Sequence, residues 1–134
     1  MPQEHSVGII IFNKDKYLLL HYNAGHWGYV KGKVEANEES KDTARRELQE
    51  ETGIKSFFLV KDFQEKEEYF YKKEGKTIHK EVLYFLAETR EEEITLSKEH
   101  TGYQWLSYQE AMHLLTFPQG KELLKKVEEF KRYH

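Results

Sequence analysis

The chain of 134 residues contains no cysteine, which removes disulfide scaffolds, cysteine-rich zinc sites and thiol catalysis together. It also has no long apolar run. Val7–Phe12 and Val82–Ala87 are the longest, far short of the about 20 residues that span a bilayer, so no membrane partner is expected. Nor does one sign of charge dominate. The net charge of -3 leaves no footprint for a polyanion, so stable nucleic-acid binding is not expected, and a phosphate-bearing ligand must be held by local cations or by metal. The start, Met-Pro-Gln-Glu-His, lacks the basic region and cleavage site of a signal peptide, making the cytoplasm the expected location. Repeats, low-complexity tracts and Pro/Gly/Ser linkers are missing as well, so residues 1–134 are expected to form one domain. Oligomeric state is left open.

What is present is a hydrophobic fraction of 38% carrying nine Tyr, eight Phe and two Trp, which suits a packed globule. Val7–Phe12 and Tyr17–His21, separated by Asn13-Lys14-Asp15-Lys16, read as a hairpin. Trp27–Lys31 is a short strand candidate leading into Gly32. Glu38–Thr52 is rich in helix formers, with Gly53 placed as a left-handed cap. Ser56–Tyr71 and Lys76–Ala87 read as long strands turned at Glu74-Gly75, the second apolar on both faces and therefore central. Gly102–Leu106 is a further strand. Ser107-Tyr108-Gln109-Glu110 is a capping box, and Pro118 suits the first turn of a last helix with the stripe Leu123, Leu124, Val127 and Phe130. Three helices and irregularly alternating strands predict an α/β (α+β) fold, a mixed sheet between helical layers.

The informative stretch is Gly32–Ile54, GKVEANEESKDTARRELQEETGI. On helical spacing Glu47 and Glu51 share a face, with Glu50 alongside. Such like-charge neighbours cost about 0.2–0.5 kcal/mol per pair on an exposed helix, and a cation between them reverses the sign. Carboxylate oxygens are hard ligands, suited to Mg²⁺ or Mn²⁺. Alone, a Glu-rich helix is more often a solvated face.

The stretch resembles the Nudix box, G-x5-E-x7-R-E-U-x-E-E-x-G-U, with U a bulky aliphatic. Gly32, Glu38, Arg46, Glu47, Leu48, Glu50, Glu51, Gly53 and Ile54 fill all nine specified positions. The resemblance implies a Nudix-type α/β/α sandwich and a Mg²⁺-dependent (or Mn²⁺-dependent) hydrolase of phosphoanhydrides. Glu47, Glu50 and Glu51 would ligate the metal, one of them also accepting the proton of the attacking water, and Arg46 would orient a neighbouring glutamate.

Outside the box, the chain resembles the asymmetric diadenosine-tetraphosphate hydrolases of the animal and archaeal type. His26-Trp27 before Lys31-Gly32 resembles H-W-x-x-P-K-G, and Lys80 with Val82–Glu88 resembles K-x-V-x-Y-x-L-A-E. Leu96–Leu106 resembles L-S-x-E-H-x-x-Y-x-W-L. This implies a nucleotide substrate whose phosphates meet Lys31, Gly32 and Lys80, a further metal contact from Glu99, stacking by Tyr84 or Tyr103, and a substrate-side role for His26. Tyr84 reads equally as core. Trp27 and Trp105 read as core, His26 and His100 as hydrogen-bonding loop residues, and Tyr69 and Tyr71 as rim, stacking wall or edge packing. The chain departs from the pattern at Val30 (for Pro), Lys33 (for His) and Ala36-Asn37 (for Pro-Gly), though Asn tolerates a left-handed turn.

The leading expectation is asymmetric hydrolysis to ATP and AMP. The rivals are another Nudix pyrophosphatase, acting on nucleoside triphosphates, RNA 5′ ends or diphosphoinositol phosphates, and a non-catalytic nucleotide-binding module. The repulsive glutamate cluster argues against the module.

Overall fold

The computed structural model describes residues 3–134; Met1 and Pro2, which open the segment read for a leader, lie outside the described residues. In chain order the elements are β1 (Gln3–Asn13), β2 (Lys16–Tyr22), β3 (Trp27–Gly28), β4 (Val30–Lys33), α1 (Ser40–Thr52), β5 (Phe57–Leu59), β6 (Glu65–Lys73), β7 (Lys76–Thr89), β8 (His100–Leu106), α2 (Tyr108–Leu114) and α3 (Pro118–Tyr133).

The strands form one mixed sheet. β1 runs parallel to β7 along Gln3–Phe12, and the other pairings are antiparallel: β2 on β1, β3 and β8, β4 on the Ser6–Ile9 half of β1, and β5 and β6 on β7. Alternation along the central strands feeds two cores. Val7, Ile9, Ile11, Phe85 and Ala87 face α1 through Ala44 and Leu48. Ile10, Val82, Tyr84 and Leu86 face α2 and α3 through Ala111, Leu123, Leu124 and Val127. The expected sandwich, helices on both faces of a mixed sheet, is therefore present. Each fully buried aliphatic side chain contributes about 1.5–3 kcal/mol, so both layers are held mainly by these stripes.

Two predicted segments differ from what forms. Ser56–Tyr71 is not one strand: it breaks between β5 and β6, where Asp62 adopts φ 71°. The break carries the chain from one core to the other, since Phe57 and Leu59 pack on the α1 side while Phe63 packs against Phe130 of α3. Trp27–Lys31 is likewise split at Tyr29, so β3 pairs with β2 and β4 with β1, and Gly32 lies inside β4. The helix expected from Glu38 begins at Ser40, capped by a reciprocal Glu39–Asp42 box, and ends at Gly53 with φ 74° as foreseen.

Candidate active site

α1 presents its glutamates to the strand β4 that precedes it. Gly32 is the point of approach: a Cβ there would overlap the Glu47 carboxylate. Arg46 organises the loop between β4 and α1. Its Nε donates to Glu38 Oε2 at 2.7 Å and one terminal nitrogen to Glu38 Oε1 at 3.0 Å, a two-pronged pairing. The same nitrogen reaches the Lys33 carbonyl at 3.1 Å, and the other donates to Glu47 at 2.7 Å and Glu50 at 3.3 Å. Glu38 also accepts from the Glu35 amide and the Thr43 hydroxyl. The Arg46 guanidinium, first among several donors, holds the Glu38 carboxyl down at about 2. Glu38 thus serves as the clamp of the loop. Asn37 takes the left-handed conformation, φ 67°, that its residue type tolerates.

The box carboxylates are not equivalent. Glu51 is buried, and burial, then Glu47, then Glu99 raise its pKa well above the usual carboxylate range, while the Lys31 amide pulls the other way. Glu50 turns outward onto Arg46, its side chain 58% exposed. Among the described residues, the group whose possible ligand atoms lie within 4.8 Å of one another is a different one: Glu68 on β6 with His79 and Glu81 on β7. Lys66 lies 3.5 and 3.8 Å from its two carboxylates, so ion pairing accounts for it.

Beside Glu47 opens a cavity of about 870 Å³. Glu47, Glu67 and Glu99 line it together with Gly32 and the three lysines Lys31, Lys33 and Lys80. His26, Trp27, Tyr69 and Phe117 form aromatic walls. Lys80 is only 6% exposed and bonds Glu4 at 3.3 Å, an oxygen that also accepts from Tyr71 at 2.5 Å. Lys31 lies 3.5 Å from the Tyr69 hydroxyl, and burial lowers its pKa against the pull of Glu67. His26 stacks on Tyr22 at 4.4 Å and leans on Phe117 at 5.2 Å. Burial, with Lys31 nearby, lowers the pKa of His26.

The structure thus brings together Glu47, Glu99, Lys31, Gly32, Lys80 and His26, with Glu51 buried behind Glu47. Tyr84 lines the cavity floor but is 8% exposed and packs edge-on to Tyr29, as core. Tyr103 lies on β8 outside the cavity lining. Phe117 was missed, although a signal existed. It occupies the N-cap of α3, where Ser, Thr, Asp or Asn is favoured, makes no capping bond and is 52% exposed. Such a mismatch between residue and position is a place to look for a functional side chain.

Residues 2–127 match the NUDIX domain. The chain belongs to the Nudix family. It is a Nudix hydrolase, and this family generally uses divalent metals and acts on small nucleotide substrates. It is similar to the rat bis(5′-nucleosyl)-tetraphosphatase [asymmetrical], 37% identical with 92% of each chain covered. The fold superposes on a C. elegans Ap4A hydrolase binary complex with TM-score 0.84, 28% identity, and 98% of this chain and 99% of that one covered. An RNA pyrophosphohydrolase of Bartonella henselae is 37% identical over 73 residues, 46% of this chain and 42% of its own.

Proposed function

We propose that this Nudix hydrolase cleaves a dinucleoside tetraphosphate asymmetrically, taking diadenosine tetraphosphate and water to ATP and AMP. The observation that carries the reading is the lining of the large cavity, which brings carboxylates, three lysines and the rings of His26, Trp27, Tyr69 and Phe117 together. That combination suits a long phosphate chain ending in a base. Full-length similarity to asymmetrical tetraphosphatases supports the same substrate class, whereas similarity to RNA pyrophosphohydrolase extends over less than half of this chain.

Glu47, Glu50, Glu51 and Glu99 are the residues that would hold Mg²⁺ or Mn²⁺. Their chemistry fits: hard oxygens, a buried Glu51 beside other acids, and a Glu51 Oε1 without a hydrogen-bond donor. A divalent ion bound there supplies charge neutralisation at phosphate oxygens and a more acidic water. Arg46 fixes Glu47 and the loop. Lys31, Lys33 and Lys80 bind phosphate oxygens, with Glu4 and Tyr71 holding Lys80 in place. Phe117 and Tyr69 take the stacking role first expected of Tyr84 and Tyr103, with His26 as a supporting wall. Glu50, turned out on Arg46, has to swing inward to join the metal.

Comparing kcat/KM for diadenosine tetraphosphate, ATP and 5′-triphosphorylated RNA with Mg²⁺ tests this reading. The tetraphosphate is expected to be preferred by at least about 100-fold, the discrimination available when built polar contacts go unused. Equal or better use of ATP or RNA contradicts it.

A further inference from the structure

His100 is a buried polar side chain that the scheme above leaves without a task. Its Nε2 lies 3.2 Å from Glu51 Oε1, and both atoms are buried without a hydrogen-bond partner among the described residues. Its Nδ1 lies 3.0 Å from the Ser97 hydroxyl. A bulge puts it there. β2 and β8 pair regularly from Tyr17 with Leu106 to His21 with Gly102, and then Tyr22 pairs with His100, so that Thr101 is skipped. An extra residue reverses which face the following side chains take. His100 is thereby turned to the side of α1, edge-on to Tyr22 at 4.4 Å.

We infer that Ser97 and His100 form a positioning pair for Glu51: the Ser97 hydroxyl donates to Nδ1, and His100 Nε2–H donates to Glu51 Oε1. This deepens the reading above and rests on its metal site. The direction follows from the donors. A carboxylate ligating a metal can only accept, so the facing ring nitrogen carries the hydrogen. Nδ1 must then accept. Ser97 Oγ already accepts from the Glu99 amide at 3.4 Å, which leaves its own hydrogen for the ring. The pair also ties the loop bearing Glu99 to the helix bearing Glu51, so that one hydrogen-bonded chain sets the separation of two acids meant for the same ion. Partners of this kind fix ligand orientation in metal sites.

The test reads side-chain ¹⁵N NMR of the Mg²⁺-saturated protein without substrate, together with Mn²⁺ titrations of variants. The expected spectrum has His100 protonated at Nε2 and bare at Nδ1. His100→Leu is expected to weaken Mn²⁺ binding about 10- to 100-fold. His100→Gln, which returns an N–H near Nε2, is expected to restore most of it. Ser97→Ala keeps the imidazole in a folded protein if His100→Leu fails to fold, and is expected to mix the two tautomers and weaken Mn²⁺ binding. A wild-type ring protonated at Nδ1, or folded His100→Leu or Ser97→Ala with wild-type Mn²⁺ affinity, overturns the pair and leaves the tetraphosphate reading intact. Wild-type protein that binds neither ion overturns both. Failure on the nucleotide panel alone removes only the substrate.

Discussion

Gly32 and Glu47 are matched in shape: the space a methyl group on Gly32 would need is filled by the Glu47 carboxylate. Gly32→Ala therefore has to push that carboxylate off its bond to Arg46. The expected outcome is a fall in kcat of about 100-fold, the scale of a 1 Å misplacement at a reacting centre, with a thermal midpoint close to wild type. Steady-state kinetics and calorimetry check it. An unchanged kcat contradicts the placement of Glu47 in the site.

The Glu38–Arg46 clamp gives a pH signature. In the folded protein the Glu38 carboxyl is depressed from 4.5 to about 2. A depressed carboxyl contributes stability that is full above its unfolded value and fades as pH falls through the folded one. Glu38→Gln is thus expected to be less stable than wild type above about pH 5, with the gap closing as pH falls from 4.5 towards about 2. Melting temperatures across that range decide it. A gap that widens on acidification contradicts the clamp.

Phe117 and Tyr69 are expected to act on binding. Base–aromatic stacking contributes about 1–3 kcal/mol per base, so Phe117→Ala should raise KM for diadenosine tetraphosphate by about 5- to 150-fold with kcat little changed. Tyr103→Ala, outside the cavity, is the control and should leave both constants near wild type. A rise in KM for Tyr103→Ala equal to that for Phe117→Ala contradicts this assignment.

Local chemistry made the helix α1 legible. Nine box positions, the closing Gly53 and the left-handed Asn37 are decided within 23 residues, by spacing and backbone preference. The two-faced β7 was legible for the same reason, since alternation is a short-range pattern. The rest depends on long-range pairing. Nothing near Tyr103 tells that β8 lies outside the cavity, and nothing near Tyr69 tells that β6 brings it to Lys31. The turn at Asp62 hid inside a run that looks uniformly extended, because its purpose is to pass Phe63 to the opposite core. Glu50 shows another limit: sequence puts three acids on one helix face, while Arg46 decides which of them turns away.

The most direct measurement is the identity of the first products from diadenosine tetraphosphate with Mg²⁺, followed by chromatography at low conversion. Equal amounts of ATP and AMP, formed only while the divalent ion is free and lost in Glu51→Gln, are the expected result. Two molecules of ADP, or a rate that survives chelator, would contradict the account.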